Sequence, residues 1–248
     1  MKEPIEPSKE DCCNSGCNPC IFDVYEKQLT KYKKYLECGE HTSNVIEENA
    51  ISQLHYTCFI VVDKLSLCDS HVLLTLRRLK SDDIKVSWKP GQHFLYKFHC
   101  VETLWRGPYG DYNIIQNTFS RIIMIAQGTG IAPFISIIEN ILNDEDEITK
   151  IILLYCCQSV NTILFRDELY NFKLYWNFSY QLYINNVNED SKIKYLEPIV
   201  NRKLTYAALD QFLPLTKNEQ FLLCGSRQFM EHYELYLLNK QVENIILF

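Results

Sequence analysis

The stretch Arg121–Leu142, RIIMIAQGTGIAPFISIIENIL, decides the fold. Ile122–Ala126 is an uninterrupted apolar run of strand length, and Phe134, Ile135, Ile137, Ile138, Ile141 and Leu142 return at helical spacing. Between them lies Gly128-Thr129-Gly130, so the pattern predicts strand, tight glycine bend, helix. Glycines let the backbone approach a ligand closely, and the following helix aims its free N–H groups and positive dipole end at the bend. A phosphate of a nucleotide is the ligand this geometry favours. Pro133 stands where the common dinucleotide fingerprint has its third glycine; in a helix that begins near Ile131 it lies in the first turn and forfeits no hydrogen bond.

Downstream of this elbow, apolar runs alternate with helical patterns. Strands are predicted at 121–126, 151–157, 178–185, 220–224 and 244–248, and helices at 131–142, 163–172, 207–213 and 227–239. This alternation implies a parallel five-stranded α/β domain over 116–248, with ligands at the carboxyl ends of the strands. The polar connection 186–203 reads as a surface loop. Two further stretches fall at strand ends: Tyr155-Cys156-Cys157-Gln158 and Cys224-Gly225-Ser226. A small soft side chain followed by glycine suits a flat ring lying on the strand end, and a buried cysteine before a helix suits the same residues equally well. Phe248 is read either as core or as an aromatic cover for a planar cofactor.

Upstream, the period changes. His55–Lys64, His71–Lys80 and His93–Phe98 alternate as strands and imply part of an antiparallel sheet or barrel within 51–115. Residues 1–50 combine a polar, cysteine-rich segment with a helix, whose apolar stripe is Phe22, Tyr25, Leu29, Tyr32, Tyr35 and Leu36, ending near Gly39. Cys12, Cys13, Cys17 and Cys20 lie close enough to converge on zinc or an iron–sulfur cluster, although the adjacency of Cys12 and Cys13 hinders full convergence; reduced thiols or a docking motif are the other readings. The acidic run Asn143–Glu147 reads as a solvated loop.

The whole chain has 248 residues, 47% hydrophobic content and a net charge of −6 with no basic cluster. Those values indicate a globular protein and argue against nucleic acid or an anionic membrane as partner. Neither a membrane span nor a secretory signal is visible, so a soluble intracellular protein, cytoplasmic by default, is expected. Eleven cysteines in that setting point to thiols or metal rather than disulfides.

GQHF at Gly91–Phe94, WRGPYG at Trp105–Gly110, QGTGIAP at Gln127–Pro133, LLYCCQSVNTILFRDEL at Leu153–Leu169, LLCGS at Leu222–Ser226 and terminal Phe248 follow one another in the order found in ferredoxin–NADP reductase-like flavoenzymes. The chain most resembles the NADH-cytochrome b5 reductase-like members. DCCNSGCNPCIFDVYEKQL resembles the oxidoreductase-like N-terminal module some of them carry. The resemblance implies a flavin-type β-barrel followed by an NAD-binding domain, and a reaction passing hydride from NADH to FAD, then single electrons to a haem-protein acceptor such as cytochrome b5. It places Gly128, Thr129, Gly130 and Pro133 at the pyridine nucleotide, with Gln158 as a further cofactor contact, and sets Cys224 and Gly225 beside the nicotinamide, which makes Cys224 the candidate catalytic residue. It also makes Gly107-Pro108-Tyr109-Gly110 the turn from flavin to nucleotide domain, and it favours NADH over NADPH, since no arginine cluster follows Gln158.

One family element is missing. The strand after GQH carries an Arg-x-Tyr-Ser/Thr motif in these proteins, followed by another strand and a second phosphate-binding stretch; here Gly91–Cys100 runs directly into Val101–Gly107. Arg77, Arg78 and Arg106 take no flavin role from the resemblance. A barrel deprived of those strands cannot close, which predicts impaired FAD binding and leaves a non-catalytic nucleotide-binding or interaction protein as the alternative function.

Overall fold

The computed structural model describes residues 3–4, 6–9, 20–38, 49–68, 71–79, 85–99, 102–185, 187 and 192–248. They form two compact units: Met1–Lys64 with Leu74–Asp111, and Leu65–Leu73 with Tyr112–Phe248.

The second unit contains a parallel sheet ordered β10-β9-β5-β6-β7-β8. Its strands are β5 (Arg121–Gln127), β6 (Lys150–Cys157), β7 (Phe178–Ile184), β8 (Ile199–Val200), β9 (Glu219–Cys224) and β10 (Ile245–Leu247). Side chains alternate between two cores. Ile122, Met124 and Ala126 pack on the face covered by α2 (Ala132–Leu142) and α3 (Arg166–Phe172), while Ile123 and Ile125 pack on the face covered by α4 (Tyr206–Asp210) and α5 (Arg227–Asn239). A strand buried on both faces has no polar position to spare, which is why Ile122–Ala126 reads as continuous apolar sequence.

The sheet has six strands where the sequence predicts five. β8 lies within the segment expected to be a loop and pairs with β7 through Leu182↔Ile199 and Tyr183↔Val200. Two residues cannot display a period, so pattern alone cannot reveal such a strand. The acidic turn needs a second correction: Asn143–Asp146 are exposed, but Glu147 is buried and accepts hydrogen bonds from the backbone N–H groups of Asn117 and Thr149 and from the Thr149 hydroxyl. It is a structural anchor of the turn before β6.

The first unit holds most of an antiparallel sheet ordered β2-β1-β4-β3, from β1 (Thr57–Cys68), β2 (His71–Arg78), β3 (His93–His99) and β4 (Glu102–Tyr109); the end of β1 from Leu65 and the start of β2 up to Leu73 are assigned to the second unit. Among the described residues it is an open sheet and not a closed barrel. β3 and β4 pair from His99↔Glu102 to His93↔Tyr109, with a register shift between His93 and Leu95. Gly107, Pro108 and Tyr109 therefore end a strand and do not form the predicted turn; only Gly110 lies beyond it. Pro108 cannot donate to a ladder, and it sits in the irregular stretch, beyond the last residue of β4 paired with β1.

Helix α1 (Ile21–Cys38) opens with the Cys20 N–H donating to Asp23 Oδ2 at 3.0 Å, and it buries Ile21 and Val24. Leu36, placed on the predicted stripe, is 62% exposed.

Candidate nucleotide site

The register of the parallel sheet brings the predicted residues to one edge. Ala126 is opposite Cys224, Gln127 is opposite Cys156, and Leu247 is opposite Leu223. The glycine bend, Cys157-Gln158, Cys224-Gly225 and Phe248 thus all emerge at the carboxyl ends of adjacent strands.

Gly128–Ile131 forms one 3-10 turn leading directly into α2, with Pro133 in the first α-helical turn as expected. Gly128 adopts φ +54°, the left-handed region that glycine enters without strain. Gly130 is required for another reason: a Cβ there would lie 2.4 Å from the Cys224 carbonyl oxygen and 2.8 Å from the Gly225 nitrogen. Both obstacles are backbone, so the bend and the end of β9 approach as closely as two chains can. The Tyr155 hydroxyl donates to the Gly128 carbonyl at 3.0 Å, tying the bend to β6. Gln127 Oε1 accepts from the Ser226 N–H at 3.1 Å and from its hydroxyl at 2.8 Å, which couples the bend to the start of α5. Thr129 and Gln158 are exposed. The loop is therefore braced from both neighbouring strands before any ligand arrives.

Cys224 is half-buried, and its thiol donates to the Phe248 carbonyl at 3.8 Å. Burial pushes its pKa up to about 11, so it is a neutral thiol at ordinary pH. The same cause raises Cys156 and Cys157 to about 12. The Phe248 N–H donates to the Leu223 carbonyl at 3.0 Å, and its ring meets Tyr112 and Phe134 edge-on at 5.2 and 5.5 Å. The predicted aromatic is thus pinned at the strand end; Tyr112, which sequence reasoning passed over, is its partner and donates to Gln220. Only its own position before β5 hints at that role.

Cys12, Cys13 and Cys17 of the proposed metal cluster lie outside the described residues, whereas Cys20 is described and carries a free thiol. Among the described residues, no group of three or more His, Cys, Asp or Glu side chains is arranged to hold a metal ion. Likewise, no helix there is long and apolar enough to cross a membrane.

A doubly covered parallel sheet with a braced glycine bend at its carboxyl edge is the arrangement of doubly wound nucleotide-binding folds, here in a chain that also carries an antiparallel sheet. Residues 124–234 match the family model for the oxidoreductase NAD-binding domain, and residues 1–40 match that for the oxidoreductase-like protein N-terminal segment. A human protein called NADH-cytochrome b5 reductase-like is 22% identical over 280 residues, covering 91% of this chain and 87% of the relative. The cytochrome b5 reductase domain of Ulva prolifera nitrate reductase superposes with a TM-score of 0.67 at 15% identity, covering 81% of this chain and all of that one. Malassezia yamatoensis flavohemoglobin, solved with bound FAD and heme, gives 0.62 at 13% identity over 92% of this chain and 66% of its own. Across most of its length the chain is thus similar to NADH-cytochrome b5 reductase-like proteins, and its fold is that of the ferredoxin–NADP reductase-like reductases.

The 280-position alignment to the human relative exceeds the 248 residues of this chain, so at least 32 positions of that relative have no counterpart here. The open four-stranded sheet agrees with such a loss. FAD, which the resemblance implies, does not fit the described residues: the Arg-x-Tyr-Ser/Thr strand is absent from the sequence, and the sheet that would carry it has edges at β2 and β3.

Proposed function

We propose that this protein binds NADH at the carboxyl edge of its parallel sheet, and that nucleotide binding is the activity its residues retain from the reductase family. The observation that carries this reading is the contact of Gly130 with the Cys224 and Gly225 backbone, which leaves room for no side chain and holds the phosphate-facing bend against the nicotinamide-side strand end. The Gly128–Gly130 backbone and the N-terminus of α2 would receive the pyrophosphate. The neutral Cys224 thiol would lie against the nicotinamide ring, Phe248 would supply its aromatic face beside it, and Gln158 would meet the ribose side. No acid, base or nucleophile is called for, because hydride chemistry belongs to the coenzyme.

A second reading is the full family reaction, from NADH through FAD to a one-electron acceptor such as cytochrome b5. It is favoured by the likeness to the human relative across 91% of the chain. The two readings separate in one preparation. Purified protein is mixed with NADH and a haem-protein acceptor, and its visible spectrum is recorded before and after FAD is supplied. The first reading expects NADH uptake with no flavin bands and no acceptor reduction. Flavin bands together with turnover would replace it with the second, and absence of NADH uptake would remove both.

A further inference from the structure

Arg106 of β4 is completely buried, and its Nε, Nη1 and Nη2 atoms have no hydrogen-bond partner among the described residues. A buried guanidinium without an anion is a costly arrangement. Its Cζ lies 4.9 Å from the centre of the Tyr56 ring, and the Lys97 ammonium lies 4.6 Å from the same centre. The register explains this convergence. Leu95 is opposite Arg106 and shares its face of β3 with Lys97, while Tyr56 immediately precedes Thr57, the partner of Trp105. Three neighbouring segments thus bring two cations to one ring. An aromatic face attracts a cation but carries no net charge to neutralise two of them. No carboxylate among the described residues pairs with either.

We infer that Tyr56, Lys97 and Arg106 form an anion site on the four-stranded sheet, and that its ligand is a phosphate group. A carboxylate brings one charge and two oxygens, too few for a guanidinium with every nitrogen unsatisfied plus an ammonium. A phosphate brings up to two charges and at least three oxygens, matching both. Lys97 is the exposed member and would meet the anion first; Arg106 would hold it. This site is separate from the glycine bend and does not depend on the NADH reading.

The test uses the full chain, with inorganic phosphate and AMP as probes and adenosine as the phosphate-free control. At a hundredfold excess over Kd, inorganic phosphate should raise the Tm by on the order of 5–10 °C. Arg106→Met should abolish that rise while remaining at least as stable as the parent without phosphate, and Lys97→Met should weaken phosphate binding about tenfold. General salt effects would shift parent and variants alike. NADH uptake should be unchanged in Arg106→Met, so failure here and failure at the glycine bend are distinguishable. If AMP outcompetes inorganic phosphate at this site and adenosine does not bind, the phosphate is that of a nucleotide; equal binding identifies free phosphate. A phosphate response equal in parent and Arg106→Met, or collapse of Arg106→Met in the absence of phosphate, would overturn the inference.

Discussion

In the parallel sheet, Ile122–Ala126 is wholly excluded from solvent and covered on both faces; in the antiparallel sheet, Tyr96 and Phe98 are each 63% exposed and, among the described residues, β2 and β3 are the edges. The first sheet carries a buried core on both faces and a braced glycine bend. The second carries a buried arginine whose nitrogens have no hydrogen-bond partner among the described residues, and a row of uncovered apolar side chains, including Val62, Leu65, Val72 and Leu73. Both are made of respectable strand sequence. What separates them is whether each strand has neighbours to bury its residues against, a property of the whole sheet that no single strand displays.

This contrast can be broken at several points. The largest effect is expected from Phe134→Ala, which empties a fully buried position between α2 and Phe248: about 3–5 kcal/mol of stability should be lost in denaturant unfolding. A loss under 1 kcal/mol would mean that the parallel sheet is as loosely filled as the other. Next comes Gly130→Ala. Its Cβ meets backbone that cannot swing aside, so about 1–3 kcal/mol of strain and at least a hundredfold loss of NADH affinity are expected, read by melting and titration. Full affinity in that variant would show that the bend is not the phosphate cradle.

Glu197 sharpens the comparison through pH. Burial by itself would raise its pKa, but the hydrogen bonds from Arg166 (Nε at 2.6 Å) and from the Lys194 N–H outweigh it and hold the carboxyl below its ordinary range. A depressed carboxylate pKa contributes stability above the unfolded value, near 4.3, and that contribution disappears as pH falls through the folded value. Glu197→Gln should therefore cost about 2 kcal/mol at pH 7 and progressively less below pH 4, seen as a flattened acid limb in unfolding measurements. A constant difference down to pH 2 would refute the linkage. The smallest effect belongs to the open sheet: Phe98→Ser should change stability by no more than about 0.5 kcal/mol, while lowering self-association in sedimentation.

The same contrast governs what could be read in advance. The elbow from Arg121 to Leu142 was legible because both of its faces are buried and its helix has one apolar side, so every position obeys a local rule. The strand-end residues followed from that elbow and one general rule of α/β sheets. β4 was hidden because Gly107-Pro108 carries turn chemistry, and only the register shift at His93/Leu95 lets it end a strand. Glu147 and Tyr112 were hidden because their roles depend on partners at Asn117 and Phe248, which the sequence places far away. Arg106 was legible as an arginine and illegible as a buried, unpaired one, since burial is set by strands that meet only in the fold.

The central claim is that the glycine bend at the carboxyl edge of the parallel sheet holds a pyridine dinucleotide. A calorimetric titration of the purified chain with NADH tests it most directly. One saturable site per chain, lost when Gly130 is replaced by alanine, is the expected result; a titration with no saturable heat from the unaltered chain would contradict the account.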